Sequence, residues 1–152
     1  MQTEFSFTLP KGYVDREGSL HRRGTMRLAT ARDEIEPLRD PRVSGSDDPF
    51  LTVVVLSRVV TELGSLTQVT AREIEGLFAA DLAYLQDVYG IINFGSDADI
   101  AAFVQAERSA SSPPSGDDAS SAPAATSSDG YDAPVAPRSR RDAIEEVRAA
   151  DR

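Results

Sequence analysis

One histidine and no cysteine occur among the 152 residues, which narrows the reactive chemistry before any fold is considered. Without cysteine there is no disulfide, thiolate nucleophile or cysteine-based zinc site. A serine-type triad needs a histidine base, and His21 is the only one on offer. It stands beside Arg22 and Arg23 between a turn and a strand, with no second histidine and no ligand-spaced acid. It therefore reads as solvated or packed in a turn, with no catalytic role. Ser-Lys chemistry would rest on Lys11, the sole lysine. The acid-rich pieces SGSDD and SDADI lack the alternating oxygen ligands and closing glutamate of a calcium loop, so they read as caps and turns. No GxxxxGK phosphate loop occurs. The chain reads as a non-enzyme, with no cofactor and no metal.

Asp81 is the one ionisable residue whose position is informative. It falls seven positions after Ile74, close to the apolar stripe of a helix. A carboxylate there must lie at the stripe edge, pair with an arginine, or mark a polar spot inside a partner-binding groove, because an unpartnered buried charge is costly.

The elements that would position these residues follow from periodicity. Phe5, Phe7 and Leu9 alternate with Glu4, Ser6 and Thr8, the pattern of a strand with one buried face, which Pro10 is expected to end. Returning strands are expected at Leu20 and over Thr25 to Ala29, with Met26 and Leu28 facing opposite to Arg27. Thr30 with Asp33 looks like a helix N-cap, and Pro37 should shorten that helix. Asp48 and Pro49 offer a helix start before FLTVVVLSRVVTEL, read as one buried helix over Phe50 to Leu63 that Gly64 stops, although its valines favour a strand. Thr70 and Glu73 form a capping box that starts a helix through Ile74, Leu77, Phe78, Leu82, Leu85, Val88 and Tyr89. A last short helix is expected from about Asp97 to Glu107. The fold class is α+β: a small N-terminal antiparallel hairpin or meander packed with a bundle of two to four helices, the two main ones antiparallel and joined around GSLTQV.

Composition changes after Arg108. Small, polar and proline residues there offer little to bury, and such a stretch does not offset the ~1–2 kcal/mol per residue of backbone ordering. The expected organisation is a folded domain over 1–108, a disordered linker over 109–137 and a short charged helix over 138–152. The balance of 25 acidic against 16 basic side chains, net −9, disfavours nucleic acid as a partner. No apolar run approaches the ~20 residues of a spanning helix, and no basic start precedes an apolar core, so no membrane partner and a cytoplasmic location are expected.

Four ordered motifs, FTLPKGYVDREGSLHRRGTMRLATARDEI, PLRDPRV, LSRVVTELGSL and IEGLFAADLAYLQDVYGIIN, resemble the phage tail assembly proteins encoded with contractile injection systems and phage-like tail clusters. The resemblance runs from about Glu4 to Phe94. It implies an assembly factor similar in placement to tail assembly chaperones, with tail proteins as partners: the tape measure, or tube and baseplate subunits. The alternative it leaves open is a structural adaptor kept in the tail or baseplate. On the chaperone reading, the helices around Phe50 to Leu63 and Ile74 to Tyr89 each contribute part of an apolar groove. The residues expected to bind the partner are Leu77, Asp81, Leu82, Tyr84, Leu85 and Tyr89.

Overall fold

In the computed structural model, which describes residues 1–113, three strands and five helices form in the order β1 (Glu4–Val14), β2 (Leu20–Arg27), α1 (Ala31–Ile35), α2 (Phe50–Val59), β3 (Val60–Leu63), α3 (Ala71–Glu75), α4 (Ala79–Phe94) and α5 (Asp97–Ser111). A 3-10 turn over Glu36–Arg39 follows α1. The fold is α+β, an antiparallel sheet in the order β1-β2-β3 with helices packed on it. The expected linker beyond residue 113 and the expected helix over 138–152 lie outside the described residues. Residues 109–111, assigned to that linker by composition, belong to α5.

Alternation does its work in β1: Phe5, Phe7 and Leu9 are buried while Glu4 and Ser6 face out. Pro10 does not end the strand. β1 is an edge strand, where a missing N–H need not interrupt a ladder, and the chain runs on to Val14 with its pairing shifted between Thr8 and Tyr13. The expected pair of returning strands is one, β2, whose Met26 is wholly buried. Gly24 pairs with Phe7, and a Cβ on it would sit 2.3 Å from Phe7 Cζ and 2.5 Å from the Glu62 carbonyl oxygen, so the sheet closes around a hydrogen atom at that point.

The helix expected over Phe50 to Leu63 is a helix followed by a strand. α2 ends at Val59, Val60 turns extended, and β3 pairs with Gly24 to Met26 of β2. Helical spacing and strand propensity were both present in this valine-rich segment. The unpaired edge of β2 decides between them, because β3 fills it while keeping Val60 and Leu63 in the core. Gly64 follows at φ +57°, where a Cβ would collide with the His21 ring.

The capped helix expected to run through to Tyr89 breaks in two. Thr70 and Glu73 form the predicted box, but α3 ends at Glu75 and α4 starts afresh after Phe78. Gly76 packs beneath Tyr13, and the break lets α3 lie on α2 while α4 lies along β1. GSLTQV accordingly joins β3 to α3 instead of two long helices. The Thr30–Asp33 box and the shortening at Pro37 occur as expected. Ser96 and Asp99 form a third box, which starts α5. Ile100, Phe103 and Val104 of that helix close over the core.

Candidate functional site

An apolar groove of about 430 Å³ opens between α1 with its 3-10 turn, α2 and α4. Leu38 forms one wall, Leu51 and Val55 the other, and the buried Leu56 the floor; Glu34, Thr52, Gln86 and Tyr89 supply the polar rim. Each wall has an evident cause. Pro37 turns the chain out of α1 into the 3-10 turn, which leaves Leu38 about half exposed at the lip. On α2, Leu51 and Val55 stand one turn apart and partly exposed, on a stripe that enters the core at the buried Val59 one turn further on.

The wall carrying Leu38 is held by Asp33. Its carboxylate accepts two hydrogen bonds from Arg27 (2.7 and 2.9 Å), one from Arg58 Nε (3.1 Å) and one from the Thr30 amide (2.8 Å). Arg58 also reaches Glu36 at 2.7 Å. The Arg27 guanidinium, with help from Thr30 and Arg58, holds the Asp33 carboxyl far below its usual range against the opposing effect of burial. One buried carboxylate thus ties β2, α1 and α2 into a fixed frame.

Tyr89 closes the groove from α4. Its hydroxyl donates to Glu34 Oε1 at 2.9 Å, and its ring meets Phe94 edge-on. Partial burial first, and the Glu34 carboxylate second, push the phenol above its usual range, so it stays a donor throughout the neutral range.

Of the six residues expected to bind a partner, Tyr89 lines this groove. Leu77 and Leu82 are half-buried against the core. Tyr84 faces the opposite side of α4, where its hydroxyl donates to Glu107 Oε1 at 2.8 Å and accepts from the Thr8 amide at 3.4 Å. Leu85 and Asp81 are core residues, 1% and 0% exposed, and offer no surface for docking. Asp81 neither sits at a stripe edge nor pairs with an arginine: its two oxygens accept the backbone N–H groups of Lys11 (2.8 Å) and Gly12 (3.0 Å). Periodicity put Asp81 and Leu85 on one stripe with Ile74, and that stripe packs into the core, with Asp81 against β1, instead of lining a groove. Leu38 and Gln86 were missed; the proline before Leu38 was the available signal.

His21 is packed in the hairpin. Nε2 donates to Asp15 Oδ2 at 2.7 Å, an arrangement assigned because Nδ1 faces the Ser65 N–H at 3.4 Å, and Tyr13 stacks on the ring. The hydrogen bond from His21, with a second from the Ser19 amide, lowers the Asp15 carboxyl. Asp15 is the acid that spacing did not suggest, because the turn at Gly18 folds it back onto β2. The pair fastens the hairpin to the loop after β3. Asp48 and Asp99 act as turn and cap groups, on Ser44 and Phe50 and on Ser96 respectively. Among the described residues no three His, Asp or Glu side chains converge as a metal site, and no helix is long and apolar enough to cross a membrane.

In comparison with known proteins, the chain matches no family model, no curated sequence and no solved structure.

Proposed function

We propose that this protein is a non-catalytic assembly protein of a phage-tail-like particle, and that its α1/α2/α4 groove shelters an apolar helix of a tail component before the tail is built. The observation that carries the reading is the groove itself. Leu51, Val55 and Leu56 of its lining, and Tyr89 at its rim, come from the two segments, around Phe50 to Leu63 and Ile74 to Tyr89, expected to contribute to such a groove, and Leu38 of the 3-10 turn completes it. An apolar trough with a polar rim suits a helix that buries one face and keeps the other wet, the mode in which anchors at i, i+3, i+4 and i+7 enter a groove. The tape measure is the partner of choice on this reading, since a long helical protein needs its apolar stripe covered until the tube polymerises around it. Acidic side chains elsewhere on the surface limit indiscriminate association.

Quantitative mass spectrometry of purified particles beside the lysate that made them tests the role. Abundance in lysate with near absence from particles is the expected result. Retention at a fixed ratio to baseplate subunits would replace the chaperone by a structural adaptor. Co-expression with the tape measure tests the site: Leu38→Asp and Val55→Asp should lower the yield of soluble tape measure while the variants themselves stay folded. Unchanged yield from folded variants would remove the groove from the mechanism.

A further inference from the structure

A single charge lies among the residues lining the α1/α2/α4 groove, the carboxylate of Glu34. The other polar lining residues, Ser46, Thr52, Gln86 and Tyr89, are neutral at pH 7. Neighbouring charges are matched among themselves. Arg27 and Arg58 converge on Asp33; Arg58 also holds Glu36, with Arg32 at 3.8 Å from the same carboxylate; Arg42 closes on Asp40. Arg39, which follows Leu38, does not line the groove. Among the described residues Glu34 enters no ion pair. Its hydrogen-bond partner is the Tyr89 hydroxyl, 2.9 Å from Oε1. Tyr89 stays protonated through the neutral range, so this bond orients the carboxylate without cancelling its charge and leaves Oε2 for another donor.

In the free protein Glu34 is exposed and solvated. A helix seated on Leu38, Leu51 and Val55 takes water from the rim and brings its own flanking side chains against the carboxylate. An apolar neighbour there leaves the charge with less solvation, and an acidic one sets it against a second anion. A lysine or arginine returns a charge-assisted hydrogen bond. We propose, on the reading of this groove as a helix-binding site, that Glu34 selects its occupant: an amphipathic helix with a lysine or arginine beside its apolar anchors, placed to meet the free oxygen of Glu34. The anchors supply the burial, and the carboxylate supplies the discrimination, by attraction to a basic helix and repulsion of an acidic one. Tyr89 is a positioning residue, since it reaches the occupant's cation only through the carboxylate it orients.

Fluorescence anisotropy of two synthetic helical peptides of about 18 residues, titrated with the full chain, reads the selection directly. Both carry leucines at i, i+4 and i+7. In one the positions bordering that row are lysine and in the other glutamate, with the far face adjusted so that the two have equal net charge. Equal net charge removes the general attraction of a basic peptide to a chain of net charge −9. The lysine-bordered peptide should bind about fivefold tighter, the scale of one partly exposed ion pair. Glu34→Gln, which keeps an acceptor for Tyr89, should abolish the preference, and Glu34→Lys should reverse it. Leu38→Ser should weaken both peptides alike, and far-UV circular dichroism confirms that each variant is folded. Equal or reversed affinities in the wild type, with both peptides still weakened by Leu38→Ser, would sink the charge selection and leave the groove as a helix site. A preference that survives Glu34→Gln would sink it too. Binding of neither peptide would overturn the selection together with the reading of the groove.

Discussion

Asp81 and Gly12, 69 positions apart, meet through a hydrogen bond of 3.0 Å from the Gly12 amide to the carboxylate, whose other oxygen takes the Lys11 amide at 2.8 Å. A wholly buried carboxylate thereby serves as the ladder partner that β1 lacks where its pairing with β2 slips, between Thr8 and Tyr13. Asp81→Ala would leave both amides without a partner, at a cost of about 2–4 kcal/mol, since hydrogen bonds to charged groups and orphaned buried donors each weigh about 1–3 kcal/mol. Asp81→Asn keeps an acceptor for one amide and should lose roughly half as much. Urea unfolding followed by circular dichroism would show the midpoint falling in the order wild type, Asn, Ala. Equal midpoints would mean that water replaces the carboxylate at little cost.

Acid should loosen the frame around the groove through Asp33. Its folded-state pKa lies below the unfolded value because Arg27, Thr30 and Arg58 favour the carboxylate. The stabilisation is therefore complete above the unfolded value of about 4 and is lost progressively as pH falls from there toward the lower folded-state pKa. Asp33→Asn should cost about 2–3 kcal/mol at neutral pH. This is less than the ~3–5 kcal/mol of a fully buried pair, because Arg27 and Arg58 keep 32% and 31% of their side-chain surface in water. The variant should also show a flatter stability profile between about pH 4 and pH 2 than the wild type. Parallel profiles would place the acid sensitivity elsewhere.

Alkaline titration should separate the tyrosines. Tyr84 and Tyr89 are both raised, burial being the larger cause and the carboxylates of Glu107 and Glu34 the next. A phenol raised on folding contributes stability that is present below the unfolded value of about 10 and disappears as pH climbs through the folded-state value. Absorbance at the phenolate band should rise late for two tyrosines of the folded chain. Tyr84→Phe and Tyr89→Phe should each delete one late step, and an unchanged late phase in either variant would contradict the assignment.

Gly24→Ala tests how closely the sheet is packed. The new Cβ would meet Phe7 Cζ at 2.3 Å and the Glu62 carbonyl oxygen at 2.5 Å, and the second contact is with backbone that no rotamer change can relieve. A loss of about 2–3 kcal/mol is expected, at the upper end of overpacking costs. Gly45→Ala, where no atom lies within 4 Å, is the control and should be near neutral. Thermal unfolding of the two variants side by side decides the matter.

Much of this architecture was determined by sequence alone, wherever the deciding interactions span only a few residues. The alternation of Phe5, Phe7 and Leu9 has a period only a one-sided strand can use. The boxes at Thr30 and Thr70 join residues three apart, and Pro37 acts on its own helix. Tertiary structure alone decided the rest, and in each case the reason is a partner distant in sequence. Val60 to Leu63 became a strand because the edge of β2 stood open. Pro10 was tolerated because β1 lies at an edge. The helix through Ile74 broke at Gly76 because α2 and β1 claim its two halves from different sides. The stripe that carries Asp81 and Leu85 went into the core, with Asp81 against β1, and Tyr89 came to lie on the groove, with Leu38 brought opposite by the turn that follows Asp33 and its two arginines. Periodicity reports that a residue has an apolar neighbour; which element supplies that neighbour depends on how the whole chain closes.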